Sequence, residues 1–109
     1  MSLYHLFIIK SIYKSKRLGK ITIMNNITKY NDKLNVIGSA VRHHRIKNSL
    51  SQADLSNKLL LLGIDIPKNS IQRLESGNRI IKEYELAAIS KVLNVSTDTL
   101  LADFMKGLE

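Results

Sequence analysis

Lys68, Asn69, Ser70, Gln72, Arg73 and Ser76 crowd into nine consecutive positions that hold a single acid, Glu75, and two apolar residues, Ile71 and Leu74, spaced three apart. Side chains of these types can read base edges. Arg and Lys donate to guanine O6 and N7, while the Asn and Gln amides match adenine N6 and N7. The same set also suits an ordinary solvated helix face, because a polar stripe is not diagnostic by itself. What decides between the two is how the neighbouring elements hold the stripe.

Two helices joined by a turn are expected across Leu50 to Arg79. Ser51 is placed to cap the first, with Asp54 adding negative charge at its positive end and Leu50 stapling onto Leu55. Leu55, Leu59 and Leu62 recur at steps of four and three, so this helix buries one face, and Gly63 ends it in the left-handed conformation. Pro67 is expected at the first helical position of the second helix, where a missing N–H costs nothing. Ile71 and Leu74 pin that helix by one stripe, and Gly77 fits the position just past its end.

The flanking segments are helical too. From Lys33, the residues Leu34, Ile37 and Val41 share a face, and Arg42, His43, His44, Arg45 and Lys47 fall in the last turns, where cations suit the helix dipole. Asn48-Ser49 breaks the run. Downstream, Leu86, Ile89 and Leu93 define a fourth helix that Asn94 terminates. Val95-Ser96 then repeats the staple-and-cap device for a fifth, which carries Leu100, Leu101, Phe104, Met105 and Leu108. That helix is more apolar than docking alone requires, and both a dimer seam and simple packing onto the core accommodate it. The expected fold class is all-α: a compact five-helix domain over residues 33–109, with a basic N-terminal extension over residues 1–30.

At 109 residues, with no cysteine, one proline and five glycines, the chain is one small domain without disulfides or a thiolate metal site. Absence of cysteine suits a cytoplasmic setting. The formal charge is +8, but residues 1–31 carry six basic residues and no acid, so the rest of the chain is only +2. Location therefore says more than the total: Lys68, Arg73, Arg79 and Lys82 cluster around the second helix of the pair, while Asp98, Asp103 and Glu109 lie at the C-terminal end. The apolar run Leu6 to Ile9 is too short to span a bilayer, and its charge lies on the wrong side for a secretory signal. Residues 1–23 are expected to be upstream sequence read in frame, with Met24 as the native start, since Gly19-Lys20 demands a purine-rich stretch a few codons earlier. A basic surface arm or a short anchor is the alternative. His43 and His44 are adjacent and point about 100° apart on a helix, so no metal site and no cofactor is expected. Neither a Gly-rich phosphate loop, nor a cysteine nucleophile, nor a Ser/His/Asp set argues for an enzyme.

The joint spacing resembles the helix-turn-helix domain of phage repressors and Cro, the lambda repressor-like and xenobiotic-response-element regulators. The residues that carry it are Arg42-x-x-Arg45, Leu50-Ser51-Gln52-Ala53-x-Leu55, Ser70-Ile71-Gln72-Arg73-Leu74-Glu75-Ser76-Gly77, and Glu85-Leu86-Ala87-x-Ile89-x-Lys91-Val92-Leu93-Asn94-Val95-Ser96. Beyond them, the connection from Leu60 to Ile66 is longer than is usual in the family. The resemblance implies double-stranded DNA as partner, with the helix after Pro67 in the major groove. Lys68, Asn69 and Ser70 would then meet base edges, Gln72 would share that face, and Arg73 would reach a guanine or a phosphate. It also implies that Gln52 braces its helix on a phosphate, that Asn78 and Arg79 touch the DNA backbone, and that Arg45 and Glu75 form a structural ion pair. A homodimeric transcription regulator, acting as a repressor for a phage or mobile element, is the expectation that follows. An antitoxin or adaptor that holds a protein partner through the fifth helix is the alternative.

Overall fold

Backbone capping sets nearly every boundary in this protein. The computed structural model describes residues 21–24 and 27–109. Among these, helices α1 (Gly38–Lys47), α2 (Gln52–Leu61), α3 (Lys68–Glu75), α4 (Glu83–Leu93) and α5 (Thr97–Gly107) follow a short antiparallel hairpin of β1 (Ile21–Met24) and β2 (Ile27–Tyr30). The strand register pairs Ile21 with Tyr30 and Met24 with Ile27. Expectations attached to residues 1–20, including the origin of that stretch, lie outside the described residues.

Ser51 and Ser96 cap α2 and α5 through their hydroxyls, and Asp54 returns a carboxylate to Ser51 N–H to complete a capping box. Four helices end in one device: a residue in the left-handed region whose successor donates back five residues. Gly63, Gly77, Asn94 and Ser49 occupy that position, with φ of 82°, 82°, 55° and 58°. The closing bonds run from Ile64 N to Leu59 O, Asn78 N to Arg73 O, Val95 N to Ser90 O and Leu50 N to Arg45 O.

Three local expectations are corrected. The helix expected from Lys33 begins only at Gly38, because Lys33 pairs its backbone with Tyr30 and Leu34 N–H donates to Gly77 O, 2.7 Å away. Asn35 then caps α1, its Oδ1 accepting from Ile37 N and Gly38 N at 3.1 and 2.8 Å. Pro67 is the extended N-cap residue of α3, ψ 158°, and not its first helical residue. Leu62 lies outside α2 and is exposed. The left-handed turn at Gly63 redirects the chain, so that Ile66 reaches the core and its carbonyl accepts from Ser56 Oγ at 2.6 Å. The long turn is thereby tied down.

The core is a single apolar cluster to which every helix contributes: Val41 from α1, Leu55 and Leu59 from α2, Ile71 and Leu74 from α3, Ile89 and Leu93 from α4, Leu100 from α5. Leu101 and Phe104 are half-buried, while Met105 on the same helix and Leu108 just past its end remain exposed. The ring of Tyr30, at the end of β2, stands edge-on to Phe104 with centroids 5.2 Å apart. No helix among the described residues is long and apolar enough to cross a membrane.

Candidate nucleic-acid interface

Helix α3 has eight residues, about two turns, and buries one side of them. Ile71 and Leu74 are completely buried, which turns Lys68, Asn69, Gln72 and Arg73 to solvent. The side chains of Lys68, Asn69 and Gln72 make no hydrogen bond or ion pair among the described residues. Ser70, expected to face outward with them, is buried at 9% exposure. The reason is helical geometry: Ser70 lies four residues before Leu74 and next to Ile71, on the inward side. Its hydroxyl faces Arg73 Nη2 at 3.3 Å.

The acid of α3 does not reach the exposed side. Glu75 turns inward and takes Arg45 Nε on Oε2 at 2.6 Å, with Arg45 Nη2 on Oε1 at 2.9 Å. Arg45 Nη1 donates to Leu50 O at 2.8 Å, so each guanidinium nitrogen has a partner, and the group's pKa is raised, first by the hydrogen bonds to Glu75. Gln52 Nε2 adds a third donor to the carboxylate, at 3.1 Å from Oε1. The Gln52 side chain is thus committed to α3, and what α2 offers an anion at its start is its first-turn N–H groups.

Past α3, Asn78 is exposed, with Nδ2 3.2 Å from Ser76 Oγ. Arg79, expected to touch the DNA backbone, is forked onto Glu85: Nη1 to Oε1 at 3.0 Å and Nη2 to Oε2 at 2.8 Å. Glu85 is 5% exposed and accepts from Lys82 N as well. Its pKa is depressed, chiefly by the Arg79 hydrogen bonds, with burial opposing and Lys82 N–H assisting.

Asn35 and Glu85 escaped sequence reasoning. A signal for Asn35 existed, since Asn shortly before a helical run is a good capping residue. For Glu85, the cue was an acid in the first turn of α4, which the macrodipole favours and which named no partner. Among the described residues no cluster of three or more His, Asp or Glu is placed to hold a metal ion.

The assembled surface is a short cationic and amide-bearing helix face, free of exposed carboxylate, beside the N-terminus of a second helix whose first turn carries the exposed Asp54. Such a surface can place donors on base edges while neighbouring N–H groups hold phosphates. A family model described as helix-turn-helix matches residues 41–100, from within α1 to the start of α5. No curated protein matches the chain.

Proposed function

The chain belongs to the helix-turn-helix family, of Cro/C1 type, whose members are DNA-binding transcription regulators and not normally enzymes, and on that premise we propose that it is a repressor reading a near-palindromic operator. One observation carries the reading: the solvent face of α3 consists of Lys68, Asn69, Gln72 and Arg73, and its one acid is folded back onto Arg45.

In this reading α3 lies in the major groove. Lys68 and Asn69 contact base edges, Gln72 and Arg73 extend the contact by one turn, and Ser70 acts through Arg73. Gln52 and its neighbours at the start of α2 hold one phosphate, and Asn78 with Arg79 holds another. The active form is a homodimer through α5 and the residue after it, where the exposed Met105 and Leu108 supply apolar surface, on half-sites about 34 Å apart. The domain occupies residues 33–109, and the protein acts on the bacterial or phage DNA of the cytoplasm.

Selection of duplexes from a random pool tests the proposal. Recovery of a near-palindrome supports it, and recovery of sequences with no common motif overturns it. Met105 and Leu108 also favour a second reading, an antitoxin or adaptor that binds a protein partner. Sedimentation of the pure chain separates the two, because a stable dimer without DNA assigns that surface to a second copy.

A further inference from the structure

We propose that residues 33–35, which lie outside the stretch matched to the family, are a positioning strap that sets the angle of the recognition helix, with Asn35 as its central residue. The inference rests on the DNA-binding reading above.

A two-turn helix anchored by Ile71 and Leu74 can pivot about those side chains. Lys68 lies about 9 Å along the axis from Leu74, so a tilt of about 10° shifts its backbone by about 1.5 Å. Specific recognition tolerates far less.

The strap acts where α3 ends. Lys33 Nζ donates to Ser76 O at 3.0 Å and Leu34 N to Gly77 O at 2.7 Å. Asn35 Nδ2 donates twice, to Leu74 O and to Arg79 O, each at 2.9 Å. Three consecutive residues therefore supply donors to four carbonyls between Leu74 and Arg79, at and just past the end of α3, of which Leu74 O also accepts from Gly77 N. Packing agrees with the hydrogen bonds. A side chain at Gly77 would run into the Lys33 stem, and one at Gly38 would meet the carbonyls of Leu74 and Glu75.

The strap is itself held from the other side. Tyr30 and Lys33 exchange backbone hydrogen bonds of 2.9 Å, and the Tyr30 ring abuts Phe104 of α5. The end of the hairpin thus links α5 to the C-terminus of α3.

The two functions of the Asn35 amide can be separated. Asn35→Asp keeps the oxygen that caps α1 and removes both donors, to Leu74 O in α3 and to Arg79 O beyond it. Lys33→Met keeps the stem over Gly77 and removes one donor from an exposed position. The experiment measures affinity of the full chain for its selected duplex and for random duplex, with the folded fraction read by circular dichroism at the same temperature. Altered charge or partial unfolding weakens both affinities together, so the readout is their ratio. The ratio should fall about tenfold in Asn35→Asp and severalfold in Lys33→Met. An unchanged ratio in the folded variants overturns the inference; if Asn35→Asp does not fold, Lys33→Met alone decides. A wild-type chain that prefers no sequence overturns the DNA reading, and the strap's role with it.

Discussion

Arg79 and Glu85 meet as a two-pronged ion pair, 3.0 and 2.8 Å long, six residues apart across the entry to α4. The first cation after α3 in the sequence is therefore seated on a buried acid. In the proposed DNA-binding reading, a phosphate at Arg79 would share it with Glu85 or draw it away, and either course would make the fork part of the binding equilibrium.

Stability at acid pH should report that fork. A carboxyl whose folded pKa lies below its ordinary value of 4.5 releases its proton more readily when folded, so the unfolded chain binds more protons in that window. The contribution is whole above about pH 4.5 and is lost as pH falls through the lower folded value. Urea midpoints should decline over this range, and Glu85→Gln should flatten the decline. Asp54, held low by the Ser51 backbone N–H, titrates in the same region, but its exposure limits its share. A Glu85→Gln curve parallel to wild type would contradict the assignment.

The Arg45–Glu75 pair should behave as a buried pair. Its side chains are 10% and 4% exposed, so removing one leaves the other charged and unpaired. Arg45→Met or Glu75→Leu alone should cost about 3–5 kcal/mol, and the double replacement much less than the sum. Equilibrium unfolding of the four species gives the coupling directly.

Two glycines should respond to alanine for different reasons. At Gly38, in a helix, alanine has the better propensity by about 1 kcal/mol, yet its Cβ would meet the backbone of Leu74 and Glu75. At Gly63 the space is open and only the φ of 82° is unfavourable. Gly63→Ala should cost about 1–2 kcal/mol, and Gly38→Ala should destabilise despite its propensity gain, because backbone carbonyls cannot step aside. Thermal unfolding of both variants decides the point.

Base reading and backbone holding should separate by mutation. Lys68→Ala and Asn69→Ala are expected to lose about 1–3 kcal/mol on the selected duplex and little on random duplex. Arg79→Ala should weaken both and make the salt dependence shallower. Titrations on the two duplexes at several salt concentrations provide the comparison.

Much of this architecture was legible in the sequence because it is local. Ser51 and Ser96 as caps, Gly63, Gly77 and Asn94 as terminators, and the apolar steps in α2 and α4 each depend on residues within one or two turns. The exposed face of α3 was legible for the same reason, since burying Ile71 and Leu74 leaves Lys68, Asn69, Gln72 and Arg73 outside. Ser70 shows the limit: two apolar residues define a stripe without fixing its edges, and the serine beside them lies inside.

What the sequence by itself determined is the order of helices, the caps and terminators of most of them, and the polar character of the one that faces outward, all set by torsional preference and short-range periodicity. Tertiary structure alone decided that residues 33–35 leave the helical pattern to bind the end of α3, that Gln52 turns to Glu75, and that Arg79 rests on Glu85. Asn35 reaches carbonyls 39 and 44 residues away. Contacts at such separation depend on which elements the shared core brings together, and no spacing rule encodes that choice.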